Sequence, residues 1–176
     1  MLKFGSENKE CDDFPFVVGI DDVDNVLKIL FALPQIGEKG SNVNDDTKDE
    51  IEKLLKETYP IYPDEKNIYE ITFENYIFYQ VRNESYCASD DYEIGKGRHL
   101  IIFEKSRLLD YVSTATICCK LDNGDFFPGE WKHFEVSAEN QIVDIITCEE
   151  PIIRKIHTQQ LTSDYHILKV VSNNDK

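Results

Sequence analysis

The apolar positions of the first third of the chain alternate between two periods. "FPFVVGI" (14–20) is a strand-length apolar run. It leads into "DDVDNVLKILFAL" (21–33), where Val23, Val26, Leu27 and Leu30 fall on one stripe at the 3.6-residue period. With Asp21 or Asp22 to cap its start and Pro34 to stop it, this stretch predicts a helix over 21–33. A second helix is predicted over 47–58: Thr47 and Glu50 form a capping-box pair, and Ile51, Leu54, Leu55 and Thr58 supply the buried stripe. "PQIGEKGSNVND" (34–45) between them reads as a loop, and Pro60 and Pro63 bracket another.

From residue 67 the period becomes two. "NIYEITF" (67–73) and "YIFYQVRN" (76–83), dense in Tyr, Phe, Ile and Val, predict a hairpin turning at Glu74–Asn75. "SDDYEIGKGR" (89–98) reads as a loop into the strand "HLIIFE" (99–104), and Ser106 is placed to cap a short helix, "RLLDYVS", whose Leu108, Leu109 and Val112 share a face. "TATICCKL" (114–121) predicts a strand, Asn123–Gly124 a turn, and "YHILKVV" (165–171) a last strand. Strands joined by hairpins and preceded by helices imply an α+β fold, a mainly antiparallel sheet with helices packed on it and concentrated in the N-terminal third. At 176 residues this is one domain, 1–176, with a helical part at about 21–59 and a sheet-rich part at about 67–171.

The stretch "GEWKHFEVSAENQIVDIITCEEP" (129–151) holds the strongest candidate chemistry. A turn at Glu139–Asn140 sets Val136 opposite Val143 and Phe134 opposite Ile145 on one apolar face; a one-residue slip would mix Phe134 with Asp144. The other face then carries Trp131, His133, Glu135, Asp144, Ile146 and Cys148. His133 and Asp144 are diagonal there, roughly 7–8 Å apart at the backbone, so a His–Asp hydrogen bond is within reach. A catalytic site also needs a nucleophile or a metal, and Cys148, the nearest thiol, lies beyond the strand end. The pattern therefore reads as a half-exposed polar face. His99, His133, His157 and His166 lack metal-ligand spacing, and adjacent Cys118 and Cys119 point to opposite faces of a strand; no metal or other cofactor is implied. "GKGRH" (95–99) matches neither phosphate-loop motif and reads as a turn.

Charge narrows the classes further. A formal net charge of −15 repels nucleic-acid phosphate and anionic lipid, and steers basic proteins inward. Five cysteines, an odd number irregularly spaced, argue for a reducing compartment, and "MLKFGSENKECDDF" lacks a signal-peptide pattern, so the expectation is cytoplasmic. Two acidic clusters carry aromatics: Asp90, Asp91, Tyr92 and Glu93 in one, and Asp122, Asp125, Glu130 and Trp131 in the other. Carboxylates beside aromatics on loops suit a surface that pairs with an Arg/Lys-rich partner.

"IIFEKSRLLDYVSTAT" followed by "WKHFEVSAENQIVDIITCEEP", about residues 98–153, resembles small bacterial immunity proteins of polymorphic and contact-dependent toxin systems. The resemblance implies an acidic, cytosolic, non-enzymatic protein that binds and neutralises a cognate toxin domain. The alternatives are a small hydrolase-like enzyme using His133 and Asp144, or an acidic DNA-mimic or regulatory inhibitor.

Overall fold

The computed structural model describes residues 2–11, 13–39, 57–88 and 90–156. Eleven strands and one α-helix are present among them. The strands are β1 (Phe16–Val23), β2 (Val26–Ile36), β3 (Ile61–Glu74), β4 (Phe78–Asn83), β5 (Ile94–Lys96), β6 (Leu100–Lys105), β7 (Cys119–Lys120), β8 (Phe126–Phe127), β9 (Lys132–Ser137), β10 (Gln141–Thr147) and β11 (Ile152–Ile156). The helix, α1, runs from Arg107 to Ala115. A four-stranded sheet in the order β1-β2-β3-β11 faces a five-stranded sheet in the order β4-β10-β9-β6-β5, and β7 and β8 form a separate two-stranded ribbon. Pairing within both sheets is antiparallel.

Alternation builds the core. Leu27, Ile29 and Phe31 of β2 and Ile71 and Phe73 of β3 point from the first sheet; Phe134 and Val136 of β9 and Val143 and Ile145 of β10 point from the second. All nine are buried in one cluster. The N-terminal segment closes it: Phe4 lies edge-on to Phe73 (5.9 Å between ring centroids) and to Phe134 (5.1 Å), and Phe73 meets Phe134 at 5.8 Å. Gly5 N–H bonds to the Leu100 carbonyl, and a Cβ on Gly97 would sit 2.9 Å from the Gly5 backbone. The glycine in "GKGRH" thus admits a backbone crossing. The small apolar side of α1, Leu108 and Val112, packs on the opposite face of the second sheet with Ile146 and Cys118.

The α+β expectation is overturned. The architecture is a mostly antiparallel β structure, with α1 in the middle of the chain as the α-helix among the described residues. Residues 21–33 are not helical; they span the end of β1, the turn Asp24–Asn25 and most of β2. Both turn residues have positive φ, 54° and 63°, the geometry of a tight hairpin and one that Asp and Asn tolerate. The periodicity misled because β2 is buried on both faces: Leu30 and Ala32 are as covered on the outer side as Leu27, Ile29 and Phe31 are on the core side. A strand with two apolar faces has no polar beat, so its sequence fits a helical stripe equally well. The helix predicted over 47–58 lies outside the described residues except for its last two positions, and the strand predicted over 165–171 lies wholly outside them.

Strands cover 67–73 as expected and 78–83 of the expected 76–83, but they do not form a hairpin. The chain turns at Asn75 (φ 50°) and crosses from the first sheet to the second, so β3 pairs with β2 and β11 while β4 pairs with β10. Alternation decides which side chains face the core, and both pairings satisfy it. The strand expected over 114–121 shrinks to Cys119–Lys120, since Thr114 and Ala115 complete α1. Ser106 caps α1 as expected, its Oγ accepting the Leu109 N–H at 3.1 Å. No helix among the described residues is long and apolar enough to cross a membrane.

Phe134 touches both Phe4 and Phe73, so it joins the two sheets and the N-terminal segment. Truncating it as Phe134→Ala is expected to cost about 3–5 kcal/mol. Urea denaturation should show a lowered midpoint with an unchanged slope.

Candidate functional site

The β9–β10 hairpin adopts the register its sequence selects: Val136 opposite Val143, Phe134 opposite Ile145, Glu135 opposite Asp144 and His133 opposite Ile146. His133, Glu135 and Asp144 therefore share the face away from the core. That face is not half-exposed. His133 is 2% and Asp144 1% exposed. The covering comes from three places: α1 packs over the end of the hairpin, β4 runs alongside β10, and Phe103 of β6 stacks on the His133 ring at 4.3 Å with 13° between planes.

Burial obliges each polar group to find a partner. His133 Nε2 lies 3.1 Å from Asp144 Oδ1, and its Nδ1 lies 2.8 Å from Ser106 Oγ. Arg82 of β4 forks onto Asp144, Nε donating to Oδ2 at 2.7 Å and Nη2 to Oδ1 at 2.9 Å, and Nη2 also donates to Glu135 Oε2 at 3.1 Å. Gln80 Nε2 supplies a further hydrogen bond to Asp144 Oδ2 at 2.9 Å. Asp144 thereby fills four acceptor positions. An imidazole carrying its proton on Nε2 satisfies every contact: it donates to Asp144 and accepts from the Ser106 hydroxyl, which itself accepts from Leu109.

Burial alone would push the Asp144 carboxyl up; the hydrogen bonds from His133, Arg82 and Gln80, with the Arg82 charge, outweigh it and hold the group down at about 2. Glu135 goes the other way. Burial, then the neighbouring Asp144 charge, push it up to about 7, against the pull of Arg82. One guanidinium thus serves two carboxylates, and the better-bonded one keeps the charge.

Ser106, His133 and Asp144 are the residue types of a hydrolase triad, but their arrangement differs from one. In a working triad the serine bonds to Nε2 and the carboxylate to Nδ1; here the two nitrogens are exchanged. Ser106 exposes none of its surface, so a substrate reaches its Oγ only if α1 moves. The expected His133–Asp144 hydrogen bond is present, and Cys148 is not part of this constellation. Gln80, Arg82 and the contact of Ser106 with His133 escaped the sequence reading, which had Ser106 only as a cap. A signal existed for two of them: Gln80 and Arg82 are alternate polar residues in an otherwise apolar and aromatic strand, hence on one face.

The two acidic clusters have different fates, at opposite ends of α1. At the N-terminal end, Asp90 Oδ2 accepts from Arg107 Nε at 2.9 Å, and Glu93 Oε1 accepts the Arg107 N–H at 3.1 Å. Tyr92 bonds to Asp110 while Lys105 Nζ and the Arg107 guanidinium lie 3.7 and 4.0 Å from its ring centroid. These carboxylates complement the positive end of the helix. Asp91 is exposed beside them. At the other end, Asp122, Asp125 and Glu130 are exposed, and no basic side chain pairs with them among the described residues. Asp125 closes the β7–β8 turn with Asn123, which donates to it at 2.7 Å. Trp131 is turned inward, edge-on to Phe126 at 5.0 Å and against the cluster beneath α1.

No protein-family model matches the chain, nor does any curated protein or solved structure.

The opposite shifts of the two carboxylates set a pH dependence. Glu135 binds its proton more tightly in the folded chain, so its stabilising contribution is complete below about 4.5 and is lost as pH rises through about 7. Asp144 contributes fully above about 3.8 and loses its contribution as pH falls towards about 2. Denaturation midpoints across this range should fall from mildly acidic to neutral pH, and Glu135→Gln should flatten that decline. Separately, Asp144→Ala, which strands Arg82 and His133, is expected to cost about 3–5 kcal/mol by urea denaturation.

Proposed function

We propose that this chain is a non-enzymatic acidic binding protein of the immunity type, which holds and neutralises a cognate toxin domain with a basic surface. The observation that carries the reading is the unequal treatment of the two acidic clusters. Asp90 and Glu93 are engaged with Arg107, whereas Asp122, Asp125 and Glu130 stand in solvent without a basic partner among the described residues. Exposed carboxylates in a chain of net charge −15 lower the energy of an approaching cation over many ångströms and set the direction of encounter. Phe127 and Leu121 beside them supply apolar area that a partner can cover.

Support for the non-enzymatic side comes from the buried network. Every polar atom that a hydrolase would need at Ser106, His133 and Asp144 already has an internal partner, and none reaches solvent appreciably. Such a network holds elements together. The resemblance of residues 98–153 to immunity proteins points the same way, because its region contains both α1 and the ribbon.

The test is co-expression with the product of a neighbouring toxin-like reading frame. A complex should co-purify and relieve growth inhibition, with an association rate that falls about tenfold or more from low to physiological salt. Charge reversal by Asp122→Lys with Glu130→Lys should slow association at least about tenfold while leaving the dissociation rate nearly unchanged. Unaltered association in that variant would remove the second cluster from the account.

A further inference from the structure

Among the described residues, the β7–β8 ribbon is paired with neither large sheet, and its two faces differ. Cys119 pairs with Phe127 and Lys120 with Phe126, so alternation sorts the side chains without ambiguity. The inner face carries Cys118, buried with Leu108, Val112 and Ile146, and Phe126, set edge-on to Trp131. Lys120 stays on that side, its Nζ 5.5 Å from the Phe126 ring centroid. The outer face carries Cys119, Leu121 and Phe127, and Ile117 lies in the bend just before the ribbon; all four are exposed, Ile117 by 80%, Leu121 by 44% and Phe127 by 47%. The turn at its end is held by Asn123 and Asp125 and by Gly124 (φ 93°), whose N–H bonds to the Leu121 carbonyl.

A single exposed apolar residue is ordinary on a protein surface; three on one face of a ribbon and a fourth in the bend leading into it are not scattered. We infer that this outer face is a docking surface for a partner protein that presents an apolar side chain flanked by arginine or lysine. The inference rests on the binding reading above and assigns it a location. Charge complementarity selects the occupant. Asp122, Asp125 and Glu130 lie in the same segment without basic partners among the described residues, and the ribbon's lysine is turned to the other face. A second copy of this chain would bring the same carboxylates towards each other, which like-charge repulsion opposes. A partner with an apolar centre and a cationic surround instead covers Ile117, Leu121 and Phe127 while its charges meet the carboxylates, the usual division between a dry centre and a polar rim.

The experiment titrates the full-length, ¹⁵N-labelled chain with two short synthetic peptides, one alternating arginine and leucine, the other arginine and serine. The expected result is that the arginine–leucine peptide shifts the amides of Ile117, Cys119, Leu121 and Phe127 and binds at least about tenfold tighter than its serine counterpart. The double variant Ile117→Ser with Leu121→Ser, which changes no charge, should erase that difference while an unchanged thermal midpoint shows the fold intact. Equal affinity for both peptides, or shifts centred elsewhere, overturns the docking surface and leaves the basic-partner reading standing. Failure of both peptides to bind at low salt overturns the two together. Concentration-dependent shifts of these amides without peptide would make a second copy the occupant and overturn the inference as well.

Discussion

A carboxylate with 1% of its surface exposed, Asp144, sets the terms for the outer face of the second sheet. An ionised group removed from water is tolerated only when its lost hydration is replaced, and here four hydrogen bonds replace it. Each donor comes from a particular element: His133 from β9, and Gln80 and Arg82 from β4. Ser106 extends the chain of contacts to the first turn of α1. The edge strand, the hairpin and the helix are thereby fixed to one another through a single group. Apolar packing alone, through Leu108, Val112 and Ile146, would hold α1 down without fixing its end.

The same accounting separates what is sealed from what is offered. Inside, Asp144, His133 and Ser106 are buried and hydrogen-bonded to one another and to their neighbours, with the two ring nitrogens exchanged relative to a hydrolase triad. At the N-terminal end of α1, Asp90, Tyr92 and Glu93 are occupied with Arg107, Lys105 and Asp110. Past its C-terminal end the balance reverses: among the described residues, carboxylates without cations accompany an exposed apolar ribbon face. Exposed apolar and anionic groups stand side by side in this segment.

The sequence made some of this legible. The β9–β10 register followed from alternation, because only one register keeps Phe134, Val136, Val143 and Ile145 on a common side, and the His133–Asp144 contact followed from the register. Ser106 was recognisable as a cap since the hydroxyl precedes an apolar helical stripe. What it did not reveal is long-range. That the polar face is covered depends on α1 lying over it, on Phe103 stacking on His133 and on Arg82 reaching in from β4, and that Ser106 has a second partner depends on a residue 27 positions away. β2 was unreadable for the opposite reason: burial on both faces erased the alternation that marks a strand. The crossing at Asn75 was hidden because both candidate pairings put the same side chains into the core.

Ser106, His133 and Asp144 act as one structural unit, in which Ser106 and Asp144 are coupled through the imidazole. A double-mutant cycle of Ser106→Ala and Asp144→Asn, read by urea denaturation at constant pH, tests it most directly. The expected coupling energy is about 1 kcal/mol or more, because losing either partner releases the ring that the other one orients. Effects that add within about 0.5 kcal/mol would contradict it.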